Sequence, residues 1–217
     1  MASFFQLILD TTAPTGTSIS LPQRSSTVNI NASLSATDAT YMKFWGDICT
    51  SPGGSAITET DASWIPYAAV ASLILTASDG TKTVYARFKD AVGNESVAVN
   101  ASTILDSEVP IVTIVGPDVS TISKVVGYNV SAFSFSANDT FDEWTVRVVP
   151  SAASLHTAGT EIPTTGGSTN MHGSTETPAS TVINCTVYGA DLEAASSGDG
   201  AKIVKVFVKD KAGNWSI

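Results

Sequence analysis

The stretch Asp79–Asn94, DGTKTVYARFKDAVGN, returns as Asp199–Asn214, DGAKIVKVFVKDKAGN, shifted by 120 positions (199 − 79). Each copy reads as turn, strand, turn. Asp-Gly opens it, because glycine accepts the positive φ of a tight hairpin turn. A strand of period two follows, with Val84, Ala86 and Phe88 on one face and Thr83, Tyr85, Arg87 and Lys89 on the other. The second copy keeps the phase: Val204, Val206 and Val208 face in, Lys205 and Lys209 face out. Asp90 and Asp210 start the closing turn, with Gly93 and Gly213 as its left-handed residues and Asn94 and Asn214 behind them. A core strand between two short turns, used twice, predicts an all-β chain of two tandem β-sandwiches. Neither copy contains a reactive constellation, so the motif constrains fold far more than chemistry.

A second repeat marks where each module begins. Leu7–Pro14, LILDTTAP, and Thr103–Pro110, TILDSEVP, lie 96 positions apart (110 − 14). Each is a strand end, an Asp, a polar linker and a Pro, and Pro, lacking an N–H, suits the first residues of an edge strand. The expected domains are 1–106, with an extra N-terminal strand at 3–9, and 107–217. Two domains of about 100 residues are an ordinary size, and the 43 % of apolar residues supply two cores. Alternation predicts strands at 17–21, 27–37, 41–47, 68–76 and 95–105 in the first domain. Cys49–Thr60 reads as a polar loop, and Trp64 and Tyr67 as an aromatic plug over one sandwich edge. The second domain follows with strands at 111–115, 128–137, 141–149 and 181–188, and one or two helical turns in 190–197. Asp139 stands where Asp38 does, at an offset of 101 (139 − 38), and the offset then grows to 120. The extra residues fall in the Ser/Thr/Gly-rich insertion 150–179, read as a long surface loop of the kind that often carries function.

The two ends do not match. Eleven residues, ESVAVNASTIL, separate Asn94 from Asp106 (106 − 94 − 1), whereas Trp215, Ser216 and Ile217 follow Asn214, so the last strand of domain two reads as a stub. Ser3–Leu9, SFFQLIL, precedes the first linker, where a preceding module would have its final strand. Two readings stand open. The segment pairs within its own first sheet, as N-terminal strands often do. Alternatively it adds to a strand edge of another subunit and completes a neighbour's second domain, because unpaired edges attract strands. The candidate subunit-contact residues are Phe4, Phe5, Leu7 and Leu9 at the front and Trp215 and Ile217 at the back.

Charged residues are only 14 %, against roughly 25 % in an average protein, so Ser, Thr and Asn must cover the surface, as suits half-exposed strands. The net charge of −9, from 20 acids and 11 bases with no basic run, argues against nucleic acid and against docking on anionic lipid. Cys49 and Cys185 fall in different repeats and read as two small apolar side chains rather than a disulfide. The N-terminus has no cationic start and too short an apolar run for a signal peptide or a membrane span, so the expectation is a soluble chain made without an export signal.

His156 and His172, both in the insertion, are the only histidines and read as solvated. With Ser and Thr so abundant, nearness in sequence identifies no nucleophile and base. A zinc set of His156, His172 and Cys185 lacks short ligand spacing. Asp10, Asp38, Asp90 and Asn94, with Asp106, Asp139, Asp210 and Asn214, and Glu108 in the linker, offer oxygens for calcium. There is no Asp-rich twelve-residue loop, and Asp and Asn are ordinary turn residues. Asp142 and Glu143, adjacent on a strand, point to opposite faces and cannot flank one glycosidic bond. Trp45, Trp64, Trp144 and Trp215 are candidates for stacking on sugars; Trp64 reads as packed over the core and Trp215 as lying where a partner docks. No catalytic residue, metal or cofactor is expected.

The organising motif resembles the closing segment of bacterial and phage immunoglobulin-like or fibronectin-III-like modules: Asp79-Gly80-Thr81-Lys82-Thr83-Val84-Tyr85, then Lys89-Asp90-Ala91-Val92-Gly93-Asn94. Leu9-Asp10-Thr11-Thr12-Ala13-Pro14 is similar to the start of such modules, and Ser63-Trp64-Ile65-Pro66-Tyr67 to their middle. The match covers most of domain one and both ends of domain two, which departs through its insertion and its short last strand. The resemblance implies spacers, adhesive units and decorations. Bacterial versions work outside the cell and need export, whereas phage parts fold in the host cytoplasm and work outside later. The expected function is therefore a non-enzymatic structural or decorating protein of a phage virion, localised in the particle. Its partners would be other capsid or tail proteins, in a homo-oligomer or symmetric array. The alternative is a host-attachment module whose 150–179 loop and exposed aromatics bind a surface glycan.

Overall fold

The computed structural model describes residues 5–217 and separates the chain into two units, Met1–Ser107 and Glu108–Ile217. In the first unit the strands are β1 (Thr15–Ser20), β2 (Arg24–Ser25), β3 (Asn29–Thr37), β4 (Tyr41–Gly46), β5 (Ile48–Cys49), β6 (Ile65–Pro66), β7 (Val70–Leu75), β8 (Gly80–Lys89) and β9 (Val99–Leu105). They form two sheets, in the orders β1-β3-β7-β5 and β2-β9-β8-β4-β6. The alternation of β8 is realised as read: Val84, Ala86 and Phe88 have no exposed surface and enter the core between the sheets, while Tyr85, Arg87 and Lys89 face out. Ile30, Ala32 and Leu34 of β3 meet them from the opposite sheet.

In the second unit the elements are β10 (Val112–Val115), β11 (Val130–Ala137), β12 (Phe141–Val148), β13 (Thr160–Glu161), β14 (His172–Gly173), β15 (Ile183–Tyr188), α1 (Gly189–Ala195) and β16 (Val204–Asp210). One sheet runs β10-β11-β15. In the other, β16 pairs along β12, and β13 and β14 share the opposite side of β12. Phe135, Phe141, Trp144, Val146 and Val208 fill the core. Both units are thus immunoglobulin-like β-sandwiches, and the helical turns expected after β15 are present as α1.

The insertion 150–179 is not the solvated loop expected from its composition. It carries β13 and β14 and sends Ile162 and Met171, both without exposed surface, into the core. Its first part lies over the outer face of the β12–β16 pair. There the Arg147 guanidinium donates to the carbonyls of Ala158 (2.8 Å) and Gly159 (2.9 Å), and the Lys205 ammonium donates to that of Ala153. Phe207, which by alternation points to the same outer face two residues beyond Lys205 and opposite Thr145, is fully buried.

The residues expected as an extra N-terminal strand also differ. Phe4 lies outside the described residues. Phe5–Leu9 adopt no strand, and Phe5, Leu7, Ile8 and Leu9 are 84 %, 82 %, 87 % and 88 % exposed.

Candidate functional site

The repeated turns are the most regular polar feature. Asp90 Oδ1 accepts the backbone N–H groups of Val92 (3.0 Å), Gly93 (2.7 Å) and Asn94 (2.8 Å), and Oδ2 accepts the Asn94 side-chain amide (2.7 Å). Asp210 repeats this with Ala212, Gly213 and Asn214 at 2.8, 2.8 and 2.9 Å and with the Asn214 amide at 2.8 Å. Gly93 and Gly213 hold φ of 103° and 99°, which only glycine adopts readily. Burial alone would raise the Asp90 carboxyl, but the hydrogen bonds from Asn94, Gly93 and Val92 together outweigh it and hold the group below its ordinary range. Both oxygens of each carboxylate are thus engaged in closing the turn. Asn94 also donates to the Asp10 carbonyl (3.3 Å), tying the module entrance to its closing turn.

The other reactive candidates have separate structural partners. Cys185 is buried, donates weakly to the Asn170 carbonyl (3.5 Å), and burial pushes its thiol up to about 12. Cys49 is buried and free. His156 stacks on Trp215, with ring centroids 4.1 Å apart and planes 7° from parallel. His172 Nδ1 lies 2.8 Å from Glu161 Oε1, whose other oxygen accepts from Thr145 Oγ1 (3.1 Å). Glu143 pairs with Lys209. His156, expected to be solvated, is therefore part of the cover over β16.

The tryptophans divide. Trp144 is a core residue whose Nε1 donates to the Asn170 carbonyl (3.1 Å). Tyr67 packs edge-on against Phe88 (5.9 Å) and plugs the first core as expected. Trp64 does not join it: the Lys89 ammonium lies 4.3 Å and that of Lys43 5.1 Å from its ring centroid, on the outer face of β4 and β8. On the same face Trp45 stacks on Tyr85 at 5.6 Å, with Arg87 5.8 Å above it. Alternating Tyr41-Lys43-Trp45 and Tyr85-Arg87-Lys89 on paired strands produce this ladder, and the pattern was visible in the sequence. The ring faces are largely taken by the protein's own cations and rings. Of these rings, those of Tyr41 and Tyr85 are exposed.

The remaining candidate is a sheet edge. β8 pairs with β4 from Val84 to Lys89 and with β9 from Gly80 to Ala86. β16 pairs with β12 from Val204 to Asp210. Among the described residues no strand takes the place of β9. The contact that precedes β9 is kept: Ser216 N–H donates to the Val208 carbonyl (2.9 Å) and Ser216 Oγ accepts from Val208 N–H (3.0 Å). Ser96 does the same with Phe88 at 2.9 and 3.1 Å. Residues 200–203, the counterparts of Gly80–Thr83 at the start of β8, are not in a strand. Trp215 borders this edge through its bridge to Lys209, and Ile217 is 78 % exposed.

No family model and no curated protein matches the chain. Among solved structures it is similar to the fibronectin(III)-like modules of Clostridium thermocellum CbhA, at 13 % identity and a TM-score of 0.44 over 92 % of this chain and 90 % of that one. It is also similar to chitinase ChiA74 from Bacillus thuringiensis (13 % identity, TM-score 0.35, 93 % of this chain and 30 % of that one). A third is a tetra-tandem repeat in the extending region of a large adhesion protein (19 % identity, TM-score 0.33, 96 % and 48 %). The chain thus spans less than a third of the chitinase and about half of the adhesion repeat.

Proposed function

We propose that this protein is a non-catalytic structural component, a decorating or accessory subunit of the capsid or tail of a phage virion. It joins neighbouring proteins, in a homo-oligomer or symmetric array, by strand addition and apolar contact. The observation that carries the joining role is the run Phe5, Leu7, Ile8 and Leu9, each more than four-fifths exposed beside a well-filled core. Contiguous apolar exposure of this kind marks a surface that a partner covers. By contrast, Asp90 and Asp210 close turns, Cys185 is buried in the core and His156 stacks on Trp215. The placement in a phage particle is supported by the module pattern of Asp79–Asn94 and Leu9–Pro14. Mass spectrometry of purified particles from the phage or prophage whose genome encodes the chain tests it. The protein should be present at a copy number matching a particle symmetry, and its absence from particles would overturn the placement.

A second reading, attachment to a host-surface glycan, is favoured by Tyr41 and Tyr85, exposed beside Lys43, Arg87 and Lys89 on one sheet face. Binding to a glycan array that is lost on Tyr41→Ala or Tyr85→Ala would establish it. Among the described residues no helix is long and apolar enough to cross a membrane.

A further inference from the structure

We infer that the open edge of β16 is filled by residues 5–9 of a second copy of this chain, paired antiparallel in the register that β9 takes on β8. This deepens the proposed joining role by naming the partner, the acceptor strand and the register.

The acceptor is defined by the first unit. Thr83 bonds toward β4: its N–H donates to Asp47 Oδ2 (2.8 Å) and its carbonyl accepts from Asp47 N–H (2.9 Å). Neighbouring residues of a strand bond to opposite sides, so Lys82, Val84 and Ala86 turn their N–H and C=O groups to β9. In the second unit Ile203 accepts from Val149 N–H (2.9 Å) on the β12 side. By the same alternation Lys202, Val204 and Val206 turn theirs to the open edge. A row of unpaired backbone groups there is a template for another strand. The core shows the gap as well. Val84 has no exposed surface, whereas its counterpart Val204 is only partly buried.

The donor is defined by the repeat. Thr103-Ile104-Leu105-Asp106 of β9 and its linker correspond to Leu7-Ile8-Leu9-Asp10 at the shift of 96. On β8, Ala101 lies opposite Val84, Thr103 opposite Lys82 and Leu105 opposite Gly80. Applying the shifts of 96 and 120 puts Phe5 opposite Val204, Leu7 opposite Lys202 and Leu9 opposite Gly200. Phe5, Leu7 and Leu9 then take the inward positions of Ala101, Thr103 and Leu105, while Gln6 and Ile8 face out. Three of the four exposed apolar side chains thereby enter the open end of the second core.

Cysteine pairing between two differently mass-tagged chains tests both partner and register. Gln6→Cys in one chain and Ile203→Cys in the other place two outward residues opposite each other in a non-hydrogen-bonded pair. Their Cα atoms should lie about 4.5 Å apart, within disulfide reach. Mild oxidation should yield the mixed dimer. Gln6→Cys with Ala201→Cys, displaced by about 7 Å along the strand, should yield little. No mixed dimer, or equal yields from the two pairs, overturns the inference. Hydrogen exchange supplies the second measurement. The amides of Lys202, Val204 and Val206 should exchange fast in a chain lacking residues 1–9 and slow in the full chain at high concentration. Equal exchange in the two chains overturns it. Particles that contain the protein while both measurements fail would leave the structural role standing and remove only this partner.

Discussion

A single carboxylate oxygen that gathers three backbone N–H groups does at Asp90 and at Asp210 what a longer loop would otherwise need several residues to do. Asp191 is used in the same way on a larger scale. It is 1 % exposed, and it accepts the N–H groups of Gly166 (2.6 Å) and Ser168 (2.9 Å), pinning the insertion to α1. Burial works to raise this carboxyl, but the bonds from Ser168, Gly166 and Thr165 prevail and hold it below its ordinary value of 3.8. Because the folded value lies below the unfolded one, the stabilisation is complete above pH 4–5 and is lost as pH falls through the folded value. Thermal melts between pH 7 and pH 3 should therefore show falling stability at the acid end, in the first unit through Asp90 and in the second through Asp191. Asp191→Asn should lower stability at neutral pH and flatten the acid loss of the second unit. An unchanged acid slope would show that other groups govern it. Gly173 is a second residue whose identity is dictated by contact. A Cβ there would lie 2.0 Å from Cη2 of Trp144, which is held in place by the bond to Asn170. Gly173→Ala should cost about 1–3 kcal/mol, the usual range for overpacking a filled core, read as a lowered urea midpoint with the m-value unchanged.

At the scale of elements, the strands were legible because one face of most of them is buried and the other is not. Thr27–Thr37 and Asp79–Asn94 alternate strictly, and β3 and β8 lie within them. What escaped was burial on both faces. Trp144-Thr145-Val146 and Val206-Phe207-Val208 are continuous buried runs on paired strands, and such runs signal a sheet covered on both sides. That signal was present, but the polar composition of 150–179 hid the cover. The insertion contributes isolated anchors, Ile162 and Met171, with no period to detect. Met171→Ala should then behave as a core truncation and cost about 2–5 kcal/mol, measurable by urea denaturation, whereas a solvated-loop methionine would cost almost nothing. The outer ladder of β4 and β8 gives the contrasting case. Trp64 lies against Lys43 and Lys89 rather than in the core, and exposed cation–π contacts are worth about 0.5–1 kcal/mol each. Trp64→Ala should lower the stability of the first unit by roughly 1–2 kcal/mol, well short of what loss of a core tryptophan costs.

For the whole molecule, a chain that carries the donor at residues 5–9 and the acceptor at β16 presents two different surfaces to its neighbours. Such heterologous contacts propagate head to tail, closing into rings or extending as filaments according to the rotation per step. Light scattering on the full chain should show mass rising with concentration, and removal of residues 1–9 should hold it at one copy. The same linkage predicts stability. A peptide of residues 3–12, added to the chain lacking residues 1–9, binds only the folded second unit. At ten times its Kd it should stabilise that unit by about 1.4 kcal/mol, or roughly 5–10 °C for a domain of this size, leaving the first unit unmoved. Leu9→Asp in the peptide should remove the effect, because that position corresponds to Leu105, sealed at 1 % exposure in the first core, and an unpaired carboxylate is not tolerated there. Equal shifts in the two units, or an equal shift with the aspartate peptide, would mean that the peptide coats apolar surface without entering the sheet as a strand.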